Sequence, residues 1–226
     1  MTGEPGALQG ETLEATFCFV DIAGYTALTD LHGELAAADL VDDFNRLVRS
    51  SVEPFGTIHE LIGDCAFLVF QNPLAAGQAL CKLYRLIADR SDFPVVRAGL
   101  HHGPALYRAN RYLGSTINTA ARVAAQASGG EILCTKQVAD MLEQTGLPEC
   151  HVNYRHAMRL KNLPEPIDLY EIVLSGIARE CAIDPVCKMQ VNTSHAAGHL
   201  HHNSQTYWFC SLTCVERFAA QPSAYV

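Results

Sequence analysis

Cysteine and histidine residues are concentrated at the end of this chain. Residues 181–226, about a fifth of the 226 residues, contain four of the nine cysteines and four of the ten histidines. A segment of this size buries too little apolar surface to fold securely without a disulfide or a metal ion. The pattern therefore predicts a larger module with its own hydrophobic core and a small cysteine-rich module, joined by a linker at 175–183.

The overall composition narrows the classes of function. Apolar residues make up 49% of the chain and charged residues 18%, with a formal net charge of −8. A net negative chain opposes binding to the phosphate backbone of nucleic acids. No apolar run approaches the roughly 18 residues of a membrane helix, and the first residues lack the basic and apolar regions of a signal peptide. We expect a cytoplasmic protein, with free thiols or metal thiolates, that binds neither nucleic acid nor membrane.

Apolar periodicity predicts alternating strands and helices before residue 175. Patterns typical of strands occur at 16–22, 56–61, 65–70, 95–101 and 131–134, and toward residue 174. Patterns typical of helices occur in a long stretch that ends near residue 52, at 73–89 and at 115–127. Gly63 and Asp64 lie between two strands, as in a hairpin turn. These elements predict an α+β or mixed α/β fold in which helices pack on a sheet that contains hairpins.

Two carboxylates stand where the chain turns. Asp21 ends the first predicted strand, and Asp64 occupies the hairpin turn. If the two strand ends are adjacent, the carboxylates are suited to hold divalent metal ions against a triphosphate. The alternative is that Asp21 caps a helix and Asp64 is an ordinary turn residue. The residues that open the next helix offer backbone N–H groups to phosphates, and they are Ile22, Ala23, Gly24, Tyr25 and Thr26.

A second polar pair lies on the helix predicted at 115–127. Asn118 and Arg122 are four residues apart and therefore share one helix face. An amide and a guanidinium so placed are suited to orient a ribose and to stabilise charge on a phosphoryl group. The alternative is a solvated helix face with a structural role only.

Five segments in this larger module resemble the catalytic domain of class III adenylate and guanylate cyclases. They are, in order, TFCFVDIAGYTAL, HELIGDCAFLVF, VRAGLHHGPALY, LGSTINTAARVAAQASGGEILCT and LKNLPEPIDLYEI. The resemblance covers residues 14–174, after an N-terminal tail at 1–13. It implies an α+β fold derived from the ferredoxin-like arrangement, in which helices pack on a central, mostly antiparallel sheet.

The resemblance also implies a reaction and a set of roles. Enzymes of this family convert ATP or GTP into the 3′,5′-cyclic nucleotide and pyrophosphate with two Mg²⁺ or Mn²⁺ ions in each active site. By this resemblance, Asp21 and Asp64 bind the ions. Asn118 and Arg122 position the ribose and stabilise the transition state, and Lys161 contacts the triphosphate. Each site is shared between two protomers, so a homodimer is implied.

Two positions that read the purine in this family carry Glu60 and Arg111 here. Glu at the first is typical of guanylate cyclases, and its carboxylate accepts hydrogen bonds from N1 and N2 of guanine, which favours GTP. Arg111 replaces the usual Asp, Thr or Cys, and it either pairs with Glu60 and fills the purine pocket or donates to guanine O6. Such pairing supports a second interpretation, a catalytically degenerate nucleotide-binding or dimerisation module that acts as a metal-responsive regulator.

The cysteine-rich end, residues 184–226, resembles a YHS domain. The shared pattern is DPVC, then TYWFC, three residues and another Cys. The resemblance implies binding of a heavy metal, Zn²⁺ or Cu⁺, by three cysteines: Cys187, Cys210 and Cys214. Buried, reduced cysteines are the alternative. Asp184 and His202 are further candidate ligands, and the family usually has Gly where Lys188 stands.

Overall fold

The structure, a computed structural model, describes residues 10–90, 93–161, 165–176 and 181–226. The strands of its largest sheet are β1 (Glu11–Ile22), β2 (Gly56–Ile62), β3 (Cys65–Phe70), β4 (Val96–Arg108), β5 (Arg111–Leu113), β6 (Ile132–Thr135), β7 (Cys150–Met158) and β8 (Ile167–Leu174). The helices of the same module are α1 (Tyr25–His32), α2 (Glu34–Val52), α3 (Pro73–Ala88), α4 (Ser115–Ala124) and α5 (Lys136–Thr145). Across these ranges, no helix combines the length and the apolar character needed to cross a membrane.

The strands of this sheet lie in the order β2, β3, β1, β4, β6, β8, β7, and β5 pairs with β4. The pairs are antiparallel except for β4 with β6, which is parallel. The expected α+β architecture with a mostly antiparallel sheet is confirmed. Because β1 lies between β3 and β4, a side chain at the end of β1 has neighbours on both of these strands.

The helical stretch after β1 is divided in two. Its apolar spacing predicts one helix to about residue 52, but α1 ends at His32 and α2 begins at Glu34. Gly33 has φ 84° and ψ 162°, a conformation that glycine adopts readily and that no α-helix contains. Its amide donates to the Thr29 carbonyl at 2.9 Å and closes α1. The break leaves α1 as a separate helix of eight residues.

Different helices cover the two faces of the sheet. Cys18 and Val20 of β1 lie in a core with side chains of α2, α3 and α5. Phe17, which points the other way, packs with Ala120 of α4. The alternation of side chains along a strand produces this division. Helix α4 also lies very close to β4, because a Cβ added at Gly99 would be 2.0 Å from the Ala124 backbone nitrogen.

The cysteine-rich end forms a second, smaller module. Its elements are β9 (Cys181–Ile183), β10 (Gln190–Asn192), β11 (Gly198–His202), β12 (Gln205–Phe209) and α6 (Leu212–Ala220). β9 pairs with β10, and β11 pairs with β12, both antiparallel. Val186, Phe209 and Phe218 form its apolar centre together with Cys187 and Cys214. The cysteines are therefore part of the small core and not of a flexible surface loop.

Both predicted boundary segments contain regular structure. β1 begins at Glu11, inside the predicted tail, and β9 lies inside the predicted linker. The remaining residues of these segments at 1–9 and 177–180 are outside the described residues. The two modules are joined by hydrogen bonds, since the Gln190 side chain donates to the carbonyls of Ile87 and Phe93 at 2.9 and 3.1 Å. We therefore describe the small module as docked on the larger one.

The half-buried ring of His101, in β4, makes folding sensitive to pH. Its Nδ1 lies 2.8 Å from Thr135 Oγ1, and burial lowers the pKa of His101 to about 4. In the unfolded chain His101 binds a proton near pH 6.5, whereas in the folded chain it binds one only near pH 4. The free energy of unfolding therefore decreases as the pH falls from 6.5 toward 4. We expect His101→Gln to reduce the loss of unfolding free energy between pH 7 and pH 5 by about 1 kcal/mol. Urea unfolding at the two pH values measures this, and an equal loss in both proteins would contradict it.

Candidate active site and cysteine cluster

Asp21 and Asp64 lie together at one corner of the sheet. Asp21 is opposite Cys65 in the pairing of β1 with β3, so Asp64, the residue before Cys65, is its neighbour. The Ile22 amide donates to the Asp64 carbonyl at 3.1 Å and holds the hairpin turn against the end of β1. The two carboxylates predicted to bind metal ions are thus on adjacent strand ends.

A third charged residue, Arg97, belongs to the same corner. It is opposite Asp21 in the pairing of β1 with β4, and its Nε and Nη2 donate to the two carboxylate oxygens at 2.6 and 3.0 Å. The hydrogen bonds with Asp21 raise the pKa of Arg97, so the guanidinium remains charged. Sequence reasoning missed this residue because one arginine in a strand has no distinctive spacing, and only the strand register reveals its partner.

The environment of Asp64 disfavours its negative charge. Burial raises the pKa of the Asp64 carboxyl, and the charge of Asp21 raises it further, while its own backbone amide and Arg97 act in the opposite direction. Two carboxylates therefore share a partly buried corner with a single guanidinium. Carboxylate oxygens are the ligands that Mg²⁺ and Mn²⁺ prefer, and a divalent cation neutralises the charge that burial penalises. The residues present fit such ions.

The chain segment that leads into α1 offers fewer amides to a phosphate than its sequence suggests. The Ile22 and Ala23 amides donate to the carbonyls of Asp64 and Val95 at 3.1 and 2.9 Å, so both are engaged. Gly24 precedes the helix in the left-handed conformation, with φ 74°, and no side chain caps the helix. The amides that remain for an anion are those of Gly24, Tyr25 and Thr26.

Asn118 and Arg122 lie on α4, the helix on the Phe17 face of the sheet. Asn118 is exposed and Arg122 is half-buried. Within the described part of the chain, neither side chain forms a hydrogen bond or an ion pair, so both are available to a ligand. Lys161 is exposed, and the residues that follow it at 162–164 are outside the described residues.

The two candidate purine-reading residues lie on β2 and β5. Glu60 and Arg111 are both exposed, and no ion pair joins them among the residues that the structure describes. The rings of their chain neighbours His59 and Tyr112 meet edge to face, with centroids 5.0 Å apart. β2 and β5 are separated by three strands in the sheet, and the two rings meet over the sheet face beside Phe67. Glu60 and Arg111 are therefore each one residue along the chain from the same aromatic cluster.

The three cysteines predicted to bind metal converge in the small module. Cys187 Sγ lies 3.4 Å from Cys210 Sγ and 3.8 Å from Cys214 Sγ, and the last two sulfurs are 3.8 Å apart. All three are free thiols. Hydrogen bonding with Cys187 and Cys210 lowers the pKa of the Cys214 thiol against the effect of burial. This is the set of sulfurs that the resemblance to a YHS domain singles out.

The fourth group beside these sulfurs comes from the larger module. His32 Nε2, at the end of α1, lies 3.8 Å from Cys210 Sγ, and the four ligand atoms lie within 4.8 Å of one another. We call His32, Cys187, Cys210 and Cys214 the cysteine–histidine cluster. His202 is not part of it, and its ring contacts Phe218 instead. Sequence reasoning missed His32 because nothing in its local sequence links it to cysteines so distant in the chain.

Asp184 supports the cluster without joining it. One carboxylate oxygen accepts hydrogen bonds from the amides of Val186 and Cys187 at 2.8 and 3.4 Å, and the other accepts one from the Cys210 amide at 2.9 Å. The carboxylate is thus engaged by the backbone that carries two of the cysteines.

Comparison with known proteins agrees with this description of the larger module. Residues 9–173 match the model of the adenylate and guanylate cyclase catalytic domain family. A pH-sensitive adenylate cyclase of Mycobacterium tuberculosis is 30% identical over 138 residues, 61% of this chain and 34% of that protein. An uncharacterized protein of M. tuberculosis is 30% identical over 175 residues, 76% of this chain and 45% of its own length. The chain spans less than half the length of these curated relatives.

Solved structures share the fold at low identity. The guanylyl cyclase Cya2 superposes with a TM-score of 0.65 at 16% identity, over 74% of this chain and 95% of that one. The adenylyl cyclase CyaB from P. aeruginosa superposes with a TM-score of 0.63 at 19% identity, over 74% of this chain and 97% of that one. Since the family model spans most of the chain, this protein belongs to the adenylate and guanylate cyclase catalytic domain family.

Proposed function

We propose that this chain is a nucleotide cyclase that converts ATP or GTP into the 3′,5′-cyclic nucleotide and pyrophosphate as a homodimer. The observation that carries the proposal is the corner formed by Asp21, Asp64 and Arg97. Two carboxylates and a guanidinium meet there beside the start of α1. Family membership supports the same reaction.

Asp21 and Asp64 would hold two Mg²⁺ or Mn²⁺ ions. Bound there, such ions lower the pKa of the attacking ribose 3′-hydroxyl and neutralise charge on the phosphates. Arg97 already neutralises part of the carboxylate charge, with contacts of 2.6 and 3.0 Å to Asp21. With ions held by the carboxylates, its guanidinium would supply a further positive charge for the phosphates at this corner.

The remaining groups would bind the rest of the nucleotide. The free amides of Gly24, Tyr25 and Thr26 receive phosphate oxygens at the start of α1. Asn118 orients the ribose, Arg122 stabilises the charge that develops on the α-phosphate, and Lys161 contacts the triphosphate.

A shared active site accounts for the free side chains on α4. Asn118 and Arg122 are without partners in the described residues and are carried by a different element from the acidic corner. In a two-fold dimer, the acidic corner of one protomer faces α4 of the other, and two equivalent sites result.

Purine choice is expected to depend on Glu60. Two hydrogen bonds from guanine N1 and N2 to a carboxylate favour GTP, so we expect more cyclic GMP than cyclic AMP from parallel incubations with Mn²⁺. Glu60→Lys should shift the product ratio toward cyclic AMP by about tenfold, whereas the exposed control Glu53→Lys should leave it unchanged. Product identification by mass spectrometry measures the ratio. A ratio that does not respond to Glu60→Lys would contradict this role, and no cyclic product from a confirmed dimer would favour the degenerate regulator instead.

The small module would bind a thiophilic ion, Zn²⁺ or Cu⁺. Cys187, Cys210 and Cys214 offer three sulfurs within 3.8 Å of one another in an apolar core. Metal bound there is proposed to regulate the cyclase, because the module is docked on the larger one through Gln190.

A further inference from the structure

The cysteine–histidine cluster has the donor set and the spacing of a tetrahedral zinc site. Three Cys sulfurs and one His nitrogen are a common set for structural zinc. With Zn–S bonds of about 2.3 Å, tetrahedral angles place sulfurs about 3.8 Å apart. The three pairs of sulfurs here are 3.4, 3.8 and 3.8 Å apart. The distance from His32 Nε2 to Cys210 Sγ is 3.8 Å. Four donors favour a tetrahedral ion over a three-coordinate Cu⁺ site.

The cluster connects the two modules. Cys187 lies in the turn between β9 and β10, Cys210 follows β12, and Cys214 is in the first turn of α6. His32 instead is the last residue of α1 in the larger module. Leu31, its chain neighbour, packs against the apolar centre of the small module. An ion bound by all four residues would therefore join α1 to the small module.

The same part of the small module also touches the other end of α1. A Cβ added at Gly24 would lie 2.9 Å from Lys188 Cγ and 3.3 Å from the Cys187 carbonyl oxygen. The Lys188 carbonyl accepts a hydrogen bond at 3.1 Å from Val95, whose own carbonyl accepts from Ala23. The small module thus meets α1 at both ends: Cys210 lies beside His32 at its end, and the turn that carries Cys187 lies against Gly24 at its start.

This arrangement gives the unusual residue Lys188 a structural explanation. Lys188 has φ 62°, in the left-handed region that favours glycine. Its side chain folds back on the same turn, where Nζ donates to the Pro185 carbonyl at 2.7 Å. The lysine stem then covers Gly24, since a Cβ added at Gly24 would lie 2.9 Å from Lys188 Cγ.

We propose that one Zn²⁺-class ion is bound by His32, Cys187, Cys210 and Cys214, and that it fixes α1 so that the amides at Gly24, Tyr25 and Thr26 are held in place for the triphosphate. The metal site is independent of catalysis, whereas its effect on nucleotide binding rests on the proposed cyclase function. Loss of the ion frees the far end of α1 and weakens nucleotide binding without removing any group that contacts the nucleotide.

Metal binding by the full chain, measured without nucleotide, tests the site. Elemental analysis should find one Zn²⁺ per protomer, and Co²⁺ substitution should produce the visible absorption of a tetrahedral thiolate complex. Competition with a chromophoric chelator should show at least about a tenfold loss of Zn²⁺ affinity in His32→Ala. His202→Ala is the matched control, because this histidine is the ligand that the sequence suggests, and it should bind Zn²⁺ like the wild type. Wild-type affinity and spectrum in His32→Ala, or metal-free wild-type protein, would overturn the site.

The coupling to α1 has a separate readout. A fluorescent nucleoside triphosphate analogue with Mn²⁺ should bind several-fold more weakly to His32→Ala than to the wild type or to His202→Ala. Circular dichroism and size-exclusion chromatography should show that the variants remain folded and keep the same oligomeric state. Equal nucleotide affinity in all three proteins, with Zn²⁺ lost only in His32→Ala, would overturn the coupling and leave the metal site standing. Should no protein bind the analogue, the cyclase function fails and so does the coupling, while the metal measurements still decide the site.

Discussion

Replacement of Asp21 by Asn should reduce cyclic nucleotide formation by about a thousandfold, since a loss of several kcal/mol of transition-state stabilisation has this effect. Asn is the better substitution than Ala because it keeps the side-chain volume and an acceptor for Arg97, which contacts Asp21 through two hydrogen bonds. The dimer and the unfolding midpoint should stay close to those of the wild type. Product formation under saturating Mn²⁺, followed by mass spectrometry, measures the effect.

A mixing experiment separates a shared site from one contained in a protomer. Asp21→Asn and Arg122→Ala protomers are each inactive as homodimers if both residues are needed. After co-refolding in equal amounts, half of the dimers carry one intact site, so activity should return to about a quarter of the wild-type value. Persistent inactivity, with heterodimers demonstrated by differential tags, would argue against shared sites. Unchanged turnover in Asp21→Asn alone would remove the proposed role of the acidic corner.

The second large effect is expected at Gly99, where β4 and α4 touch. A Cβ there would lie 2.0 Å from the Ala124 nitrogen and 2.3 Å from its Cα, which are backbone atoms that cannot rotate away. We expect Gly99→Ala to lower the unfolding free energy by about 3 kcal/mol and to displace α4 from the sheet. Since Asn118 and Arg122 are on α4, activity should fall with stability. Urea unfolding and product assays on the same preparation test both effects.

Gly103→Ala provides the control in the same strand. Its added Cβ would lie 3.4 Å from Thr116 Cγ2, an ordinary contact with the other end of α4. Stability should change by less than about 1 kcal/mol. An equal loss of unfolding free energy in Gly99→Ala and Gly103→Ala would show that the close approach at Gly99 does not position α4.

Periodicity alone predicts most of the regular elements of the larger module. Short runs of apolar, strand-forming residues mark β1 and β3, and a glycine turn between two such runs marks the hairpin at Gly63. The division of the first helical stretch was not predicted, because Gly33 interrupts an apolar spacing that continues on both sides. A single glycine is compatible with a continuous helix, and only its φ of 84° shows that the helix ends there.

The residues of the candidate site likewise include some that the sequence identifies and one that it does not. Asp21, Asp64, Asn118 and Arg122 could be named as candidates because each lies in a local motif, at a strand end, a tight turn or one helix face, and the family resemblance supplied their predicted roles. Arg97 was not, because its importance comes from being opposite Asp21 across two strands. Register is decided by packing of the whole sheet, so a residue whose role depends on a cross-strand partner has no local signal.

The cysteine–histidine cluster gives the clearest contrast. The resemblance to a YHS domain named Cys187, Cys210 and Cys214 as candidate ligands, and the small size of the module, which needs additional stabilisation, agreed with that choice. The same resemblance gave His202, together with Asp184, as a further candidate ligand. In the tertiary structure the histidine beside these sulfurs is His32. Docking of the small module against α1 brings its imidazole to 3.8 Å from Cys210 Sγ. Local sequence brings the cysteines of the small module together, whereas the packing of the two modules decides which histidine lies beside them.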